Sequence, residues 1–184
     1  MRRWPCEQSS RRPEPVASRC WQHPGVTSRS GASLRVATIG DVGQLLVLWD
    51  LLFDHDDQGK HQPWRSHARS WFERSVEDSG AARLPVVEID DVVVSAAVGT
   101  LELGVPNPFC PRGRTVRLAN VVTLPEHRGN GYASLLVRDV IEWARTVEAD
   151  RVDLSATPEG RRIYEDAGFT LTSAPRMKLV LARP

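Results

Sequence analysis

The sequence predicts a single α+β domain, on three observations. Apolar runs of strand length alternate with stretches whose apolar residues recur at helical spacing. Asp90-Asp91 separates two valine-rich runs, Pro85–Ile89 and Val92–Leu103, as a hairpin turn would. A third apolar run, 118–124, enters a glycine-containing loop that opens a long amphipathic helix. At 184 residues the chain is long enough to bury one sizeable core.

In chain order, residues 34–38 alternate apolar and polar side chains and predict a first strand. Asp41 then stands as an N-cap before Val42, Leu45, Leu46 and Trp49 at helical spacing. The polar stretch Asp54-His55-Asp56-Asp57-Gln58-Gly59-Lys60-His61 precedes a second helical pattern over Trp64–Glu77. The two hairpin strands follow, then a strand over 115–124. Ala133, Leu136, Val137, Val140, Ile141, Ala144 and Val147 mark one apolar face of the long helix. Val152, Leu154 and Ala156 alternate through a strand over 151–156. Thr157-Pro158-Glu159 supplies a cap, a first-turn proline and a first-turn acid for another helix. That helix is expected to reach Ala167 and stop at Gly168. Two short strands, 169–172 and 177–181, complete the pattern, with no internal repeat.

Composition narrows the function. A formal charge of +1 lacks the basic excess of a nucleic-acid binder. No apolar run approaches the roughly 20 residues of a membrane span. The basic N-terminus has no apolar h-region of a signal peptide. Cys6, Cys20 and Cys110 form no CxxC pair and no ligand spacing with histidine, so neither a disulfide framework nor a metal site is expected. A cytoplasmic protein without nucleic-acid or membrane partners is the expectation. Residues 1–33 hold six arginines against two glutamates and show no periodicity, which predicts a disordered basic tail before a domain over 34–184. A solvated extension is the plain reading, and an arm for anionic surfaces the alternative. A later start, for example at Val16 or Val26, would need a non-ATG codon, because no internal methionine precedes Met177.

The most informative stretch is Pro125-Glu126-His127-Arg128-Gly129-Asn130-Gly131-Tyr132-Ala133. Gly129 and Gly131 leave no Cβ between the backbone N–H groups and an approaching anion. The helix that follows adds unpaired N–H donors and the positive end of its dipole, which suits a pyrophosphate. The loop lacks the Gly-Lys-Ser/Thr ending of a P-loop and the full dinucleotide pattern. It resembles the acyl-CoA loop of the GCN5-related N-acetyltransferases (Arg or Gln, two residues, Gly, one residue, Gly or Ala), matched from Arg128 through Gly131 to Ala133. About thirty residues later Tyr164, Gly168 and Phe169 match the family's second signature, Tyr–x–x–x–Gly–Phe. The order β, α, α, β, β, β, α, β, α, β, β over 34–181 is that of the family's fold, a mixed, mostly antiparallel central sheet flanked by helices.

The resemblance implies an N-acetyltransferase that moves the acetyl group of acetyl-CoA to a primary amine of a small molecule or protein, without a metal. Backbone groups of Val121, Val122 and Thr123 would hold the pantetheine arm in a gap between splayed strands. Gly129, Asn130, Gly131, Tyr132, Ala133 and Ser134 would hold the pyrophosphate, with Arg128 at the loop's edge. Tyr164 matches the general acid that protonates the departing thiolate, although by position alone it is an ordinary half-buried aromatic on an apolar helix face. A backbone N–H near Val122 would stabilise the oxyanion. The general base is not legible: Asn120 stands where relatives place a carboxylate or a water chain, Glu102 is the carboxylate candidate, and a water relay is the alternative. His127 is expected on the surface. Thr157 replaces a family Asn and is expected to cap its helix, and Gly160, in place of a usual Ala, would let the cofactor come close. The acid-rich 54–61 stretch falls in the family's acceptor segment and suits a cationic amine, with a solvated loop as the plainer reading. Dimers are common among relatives, so a homodimer is expected by analogy. A non-catalytic acyl-CoA-binding module is the alternative reading of the whole chain.

Overall fold

The computed structural model describes residues 31–53, 64–173, 176–179 and 181. The elements are β1 (Ser33–Val36), α1 (Val42–Phe53), α2 (Trp64–Glu77), β2 (Ala82–Arg83), β3 (Pro85–Ile89), β4 (Val92–Leu103), β5 (Arg114–Thr123), α3 (Tyr132–Thr146), β6 (Arg151–Asp153) and α4 (Arg161–Asp166). Short 3-10 turns, Ile39–Asp41 and Pro125–His127, lead into α1 and toward α3.

Six strands form one mixed sheet in the order β1-β3-β4-β5-β6, with β2 also paired to β4. All pairings are antiparallel except β5 with β6. β4 is the central strand, and its apolar run is buried on both faces, as a central strand requires. The β3–β4 turn places Asp90 and Asp91 at φ 48° and 62°, the left-handed pair whose twist matches a two-residue hairpin.

Helices cover both faces. On one, Leu45, Leu48 and Trp49 of α1 and Phe72 of α2 pack against Val86, Val98 and Val122. On the other, Leu136, Val137, Val140 and Trp143 of α3 pack against Val94, Val116 and Leu118. Polar groups fix these layers in register. The Trp143 indole N–H donates to the Ser79 carbonyl at 2.9 Å. Arg83 forks onto the Asp139 carboxylate at 2.7 and 2.8 Å, tying β2 to α3. Cys110, a free thiol, is buried beside Asp150, whose carboxylate accepts from the Arg112 and Arg114 N–H groups and so anchors the β4–β5 connection to the start of β6.

The structure corrects several boundaries. Asp41 is not the N-cap: Thr38 takes that place, and Asp41 is its capping-box partner, accepting from the Thr38 N–H at 2.7 Å. The strand expected over 151–156 ends at Asp153. The helix expected from Thr157 begins at Arg161, because Pro158–Gly160 forms a turn in which the Thr157 hydroxyl accepts from the Gly160 N–H. No strand forms among the described residues of 169–172 and 177–181. β2 was not anticipated. The basic segment up to residue 30 and the polar stretch 54–61 lie outside the described residues.

Candidate active site

A cleft of about 730 Å³ opens between the C-terminal half of β5, the start of α3 and the turn before α4. Its origin is a divergence of parallel strands. β5 pairs with β6 only through Thr115, Val116 and Arg117, opposite Arg151, Val152 and Asp153. Beyond that point β6 has ended while β5 continues to Thr123, so the β6 side of its second half has no strand partner among the described residues. On the β4 side the register shifts, with Asn120 and Val121 together opposite Ala97. This bulge bends the strand, and Asn120 takes the left-handed φ of 53°.

Beyond the bulge the ladder fixes which residues face the cleft. The Leu124 N–H donates to the Val94 carbonyl, and Val122 pairs with Ala96 in the same register. Antiparallel alternation therefore turns Val122's own backbone groups toward β4 and leaves those of Thr123 facing the open edge. Ser95, fully buried, donates its hydroxyl to the Val122 carbonyl at 2.8 Å and shares a hydrogen bond of 2.7 Å with the Thr123 hydroxyl. That buried hydroxyl within the apolar run of β4 pins the end of β5, and sequence periodicity alone treats it as one more core position.

The loop then turns into α3 through two left-handed glycines, Gly129 at φ 79° and Gly131 at 80°. No protein atom lies within 4 Å of a Cβ built at either one, so the backbone conformation rather than crowding by the protein requires glycine there. Gly131 is the N-cap and supplies no side-chain cap. The first helical bond is from the Leu135 N–H to the Gly131 carbonyl, which leaves the N–H groups of Tyr132, Ala133 and Ser134 free of helical acceptors at the positive end of α3. All three residues line the cleft. Such a helix end, without a side-chain cap, suits an anion.

The Acetyltransferase (GNAT) family model matches residues 47–169. The chain belongs to that family. Solved structures share the fold: a predicted acetyltransferase with acetyl-CoA from Clostridium acetobutylicum (TM-score 0.71, 19% identity, covering 81% of this chain and 96% of that one), a GCN5-related N-acetyltransferase from Ralstonia eutropha (TM-score 0.66, 18% identity, 81% and 99%), and glucosamine-6-phosphate N-acetyltransferase from Arabidopsis thaliana (TM-score 0.66, 16% identity, 82% and 99%). No curated protein sequence matches the chain.

The acetyltransferase cleft gathers nine of the ten residues that the sequence assigns to the cofactor: Val121, Val122, Thr123, Arg128, Gly129, Gly131, Tyr132, Ala133 and Ser134. Asn130 is absent from the lining. Its side-chain amide instead donates to the His127 and Arg128 carbonyls at 3.0 and 3.4 Å and holds the loop's shape. Arg128 folds back, its Nε donating to the Thr123 carbonyl at 3.2 Å. Tyr164 lines the cleft from α4, half-buried and edge-on to Phe169 at 6.1 Å. Burial raises its pKa above the ordinary 10.0, because the phenolate is the form that loses hydration.

Two expectations change. Glu102 lies outside the cleft: it pairs in register with Thr115, five residues before Asn120 and so roughly 16 Å away along the strand, and its carboxylate faces the Arg117 guanidinium at 3.4 Å on the surface. His127 is half-buried and lines the cleft instead of standing free on the surface. Thr157, Glu159 and Gly160 also line it. A Cβ at Gly160 would sit 3.4 Å from the Tyr164 ring, an ordinary contact, so the glycine's use is the space it leaves on the cleft side. Among the described residues no group of histidine, cysteine and acidic side chains could hold a metal, and no helix is long and apolar enough to cross a membrane.

Proposed function

We propose that this protein is an acetyl-CoA-dependent N-acetyltransferase that acylates a primary amine. The observation that carries the reading is the meeting, in one cleft, of a helix N-terminus without a side-chain cap, a strand edge unpartnered among the described residues and a half-buried phenol. The N–H groups at the start of α3 take the pyrophosphate. The open edge of β5 takes the pantetheine arm as an added strand. Because Val122 faces β4, the oxyanion donor is a backbone N–H of its neighbours Val121 or Thr123. Tyr164, protonated at neutral pH as a phenol is, supplies the proton that the departing thiolate requires. With Glu102 outside the cleft, the water relay is the alternative we adopt for the amine's own proton.

The position of Glu102 outside the cleft also favours a second reading, a module that binds acyl-CoA without turning it over. Measured acetylation of any amine in a broad panel removes it. The donor site is tested by calorimetric titration of acetyl-CoA and of CoA into the wild type and into Gly131→Trp. Micromolar binding by the wild type that is lost in the variant is expected. Absence of binding to the wild type would overturn the donor site, and with it the proposed activity.

A further inference from the structure

Ser95 stands fully buried in β4, directly opposite Thr123 of β5. Its hydroxyl has one proton and two oxygen neighbours, the Val122 carbonyl at 2.8 Å and the Thr123 hydroxyl at 2.7 Å. The proton goes to the carbonyl, which can only accept. The Thr123 hydroxyl is then the donor of the second bond. The result is a directed chain: the Thr123 O–H donates to Ser95 Oγ, and the Ser95 O–H donates to the Val122 oxygen.

That chain ends on one half of a single peptide group. The Val122 carbonyl and the Thr123 N–H belong to the same planar trans amide, so they point in opposite directions. The register turns the carbonyl toward β4 and the N–H toward the open edge of β5. A hydrogen bond accepted at an amide oxygen draws electron density from the nitrogen and makes the N–H a stronger donor. Linked bonds in a buried, low-dielectric place add to that polarisation. The same bond holds the plane of the amide, and with it the direction of the N–H.

We propose that Ser95 is a positioning residue for the donor: from inside the core it orients and polarises the Thr123 N–H, which donates to an amide carbonyl of the pantetheine arm. The inference deepens the N-acetyltransferase reading and rests on it. Ser95 has no exposed surface, so it acts only through the amide. Thr123 lies toward the glycine loop and Val121 toward the bulge at Asn120. The arm therefore meets Thr123, and Val121 is left to serve the thioester.

The test is calorimetric titration with two ligands that share the pyrophosphate but not the arm, acetyl-CoA and 3′-phosphoadenosine 5′-diphosphate. Ser95→Ala should raise the Kd for acetyl-CoA at least about fivefold and leave that for the nucleotide at the wild-type value. A role confined to folding would not separate the two ligands. Thr123→Val keeps the side chain's shape and removes the first donor of the chain. It should raise the Kd for acetyl-CoA at least about twofold, and Thr123→Ser should restore the wild-type value. This second pair of variants decides the matter if Ser95→Ala fails to unfold cooperatively in urea. An unchanged Kd for acetyl-CoA in the variant that decides, or equal weakening of both ligands, would overturn the positioning role alone. Absence of acetyl-CoA binding to the wild type would instead overturn the donor site, and the role of Ser95 would fall with it.

Discussion

Tyr164 is half-buried, and that burial raises its pKa from the ordinary 10.0. Like any tyrosine it is protonated at neutral pH and has a proton to give to a thiolate. Tyr164→Phe preserves the edge-on contact with Phe169 and removes only the hydroxyl. Turnover should fall by about 100-fold with acetyl-CoA affinity unchanged, as read by steady-state kinetics beside calorimetry. Unchanged turnover would take the acid role away from this residue. Asp41 shows a charge used for the fold instead. Arg35 donates to it at 2.7 and 2.9 Å and holds its carboxyl down to about 2, from 3.8. A carboxyl with a lowered folded pKa stabilises the native state above its unfolded value and loses that contribution as pH falls through its folded value. Stability should therefore decline between about pH 4 and pH 2, by at most about 2 kcal/mol from this group. Asp41→Asn should remove that part of the acid limb in denaturant titrations. The motif residues were legible because glycine, arginine and tyrosine do local chemistry at fixed spacing. Asp41's partner was not, since the loop that joins Arg35 to it and the strand pairing that adds Glu88 to the pair are matters of tertiary structure.

The packing of α3 on the sheet depends on one missing side chain. A Cβ at Gly99 would lie 2.8 Å from Val140 Cγ1 and 3.2 Å from Trp143 Cζ3. Gly99→Ala should push α3 off β4 and cost about 1–3 kcal/mol, measurable as a lower urea midpoint with an unchanged slope. Elements that carry their own pattern were legible to the residue: Trp64–Glu77, Pro85–Ile89 and Val92–Leu103 all form as their periodicity and turn residues predict. Elements that exist only through a neighbour were not. β2 is two residues long and owes its existence to pairing with Gly99 and Thr100. The Thr157-Pro158-Glu159 signal is genuine turn chemistry, yet it opens a turn that delays α4 to Arg161. The strand over 151–156 stops early because its partner β5, which runs on to Thr123, diverges from it after Arg117. Pattern says where a strand can form, and only the partner decides how far it runs.

At the scale of the whole molecule, the donor site is a gap in the sheet with α1 and α2 on one face and α3 on the other. Acetyl-CoA that binds the native state alone should raise the melting temperature, with about 2.7 kcal/mol of added stability at one hundred times its Kd. Differential scanning calorimetry should show that rise in the wild type and none in Gly131→Trp. A shift that survives in the variant would place the donor elsewhere. The three-residue pairing of β5 with β6 has a consequence beyond catalysis. Most sheets are finished by the polypeptide that makes them. On the proposed function, with the donor along β5, the missing strand is metabolic: a small molecule would complete the hydrogen-bonded layer, and product release would undo it at each turnover. Such a protein would carry the acetyl supply of its surroundings in its own rigidity, stiff when the donor is plentiful and looser along that seam when it is scarce.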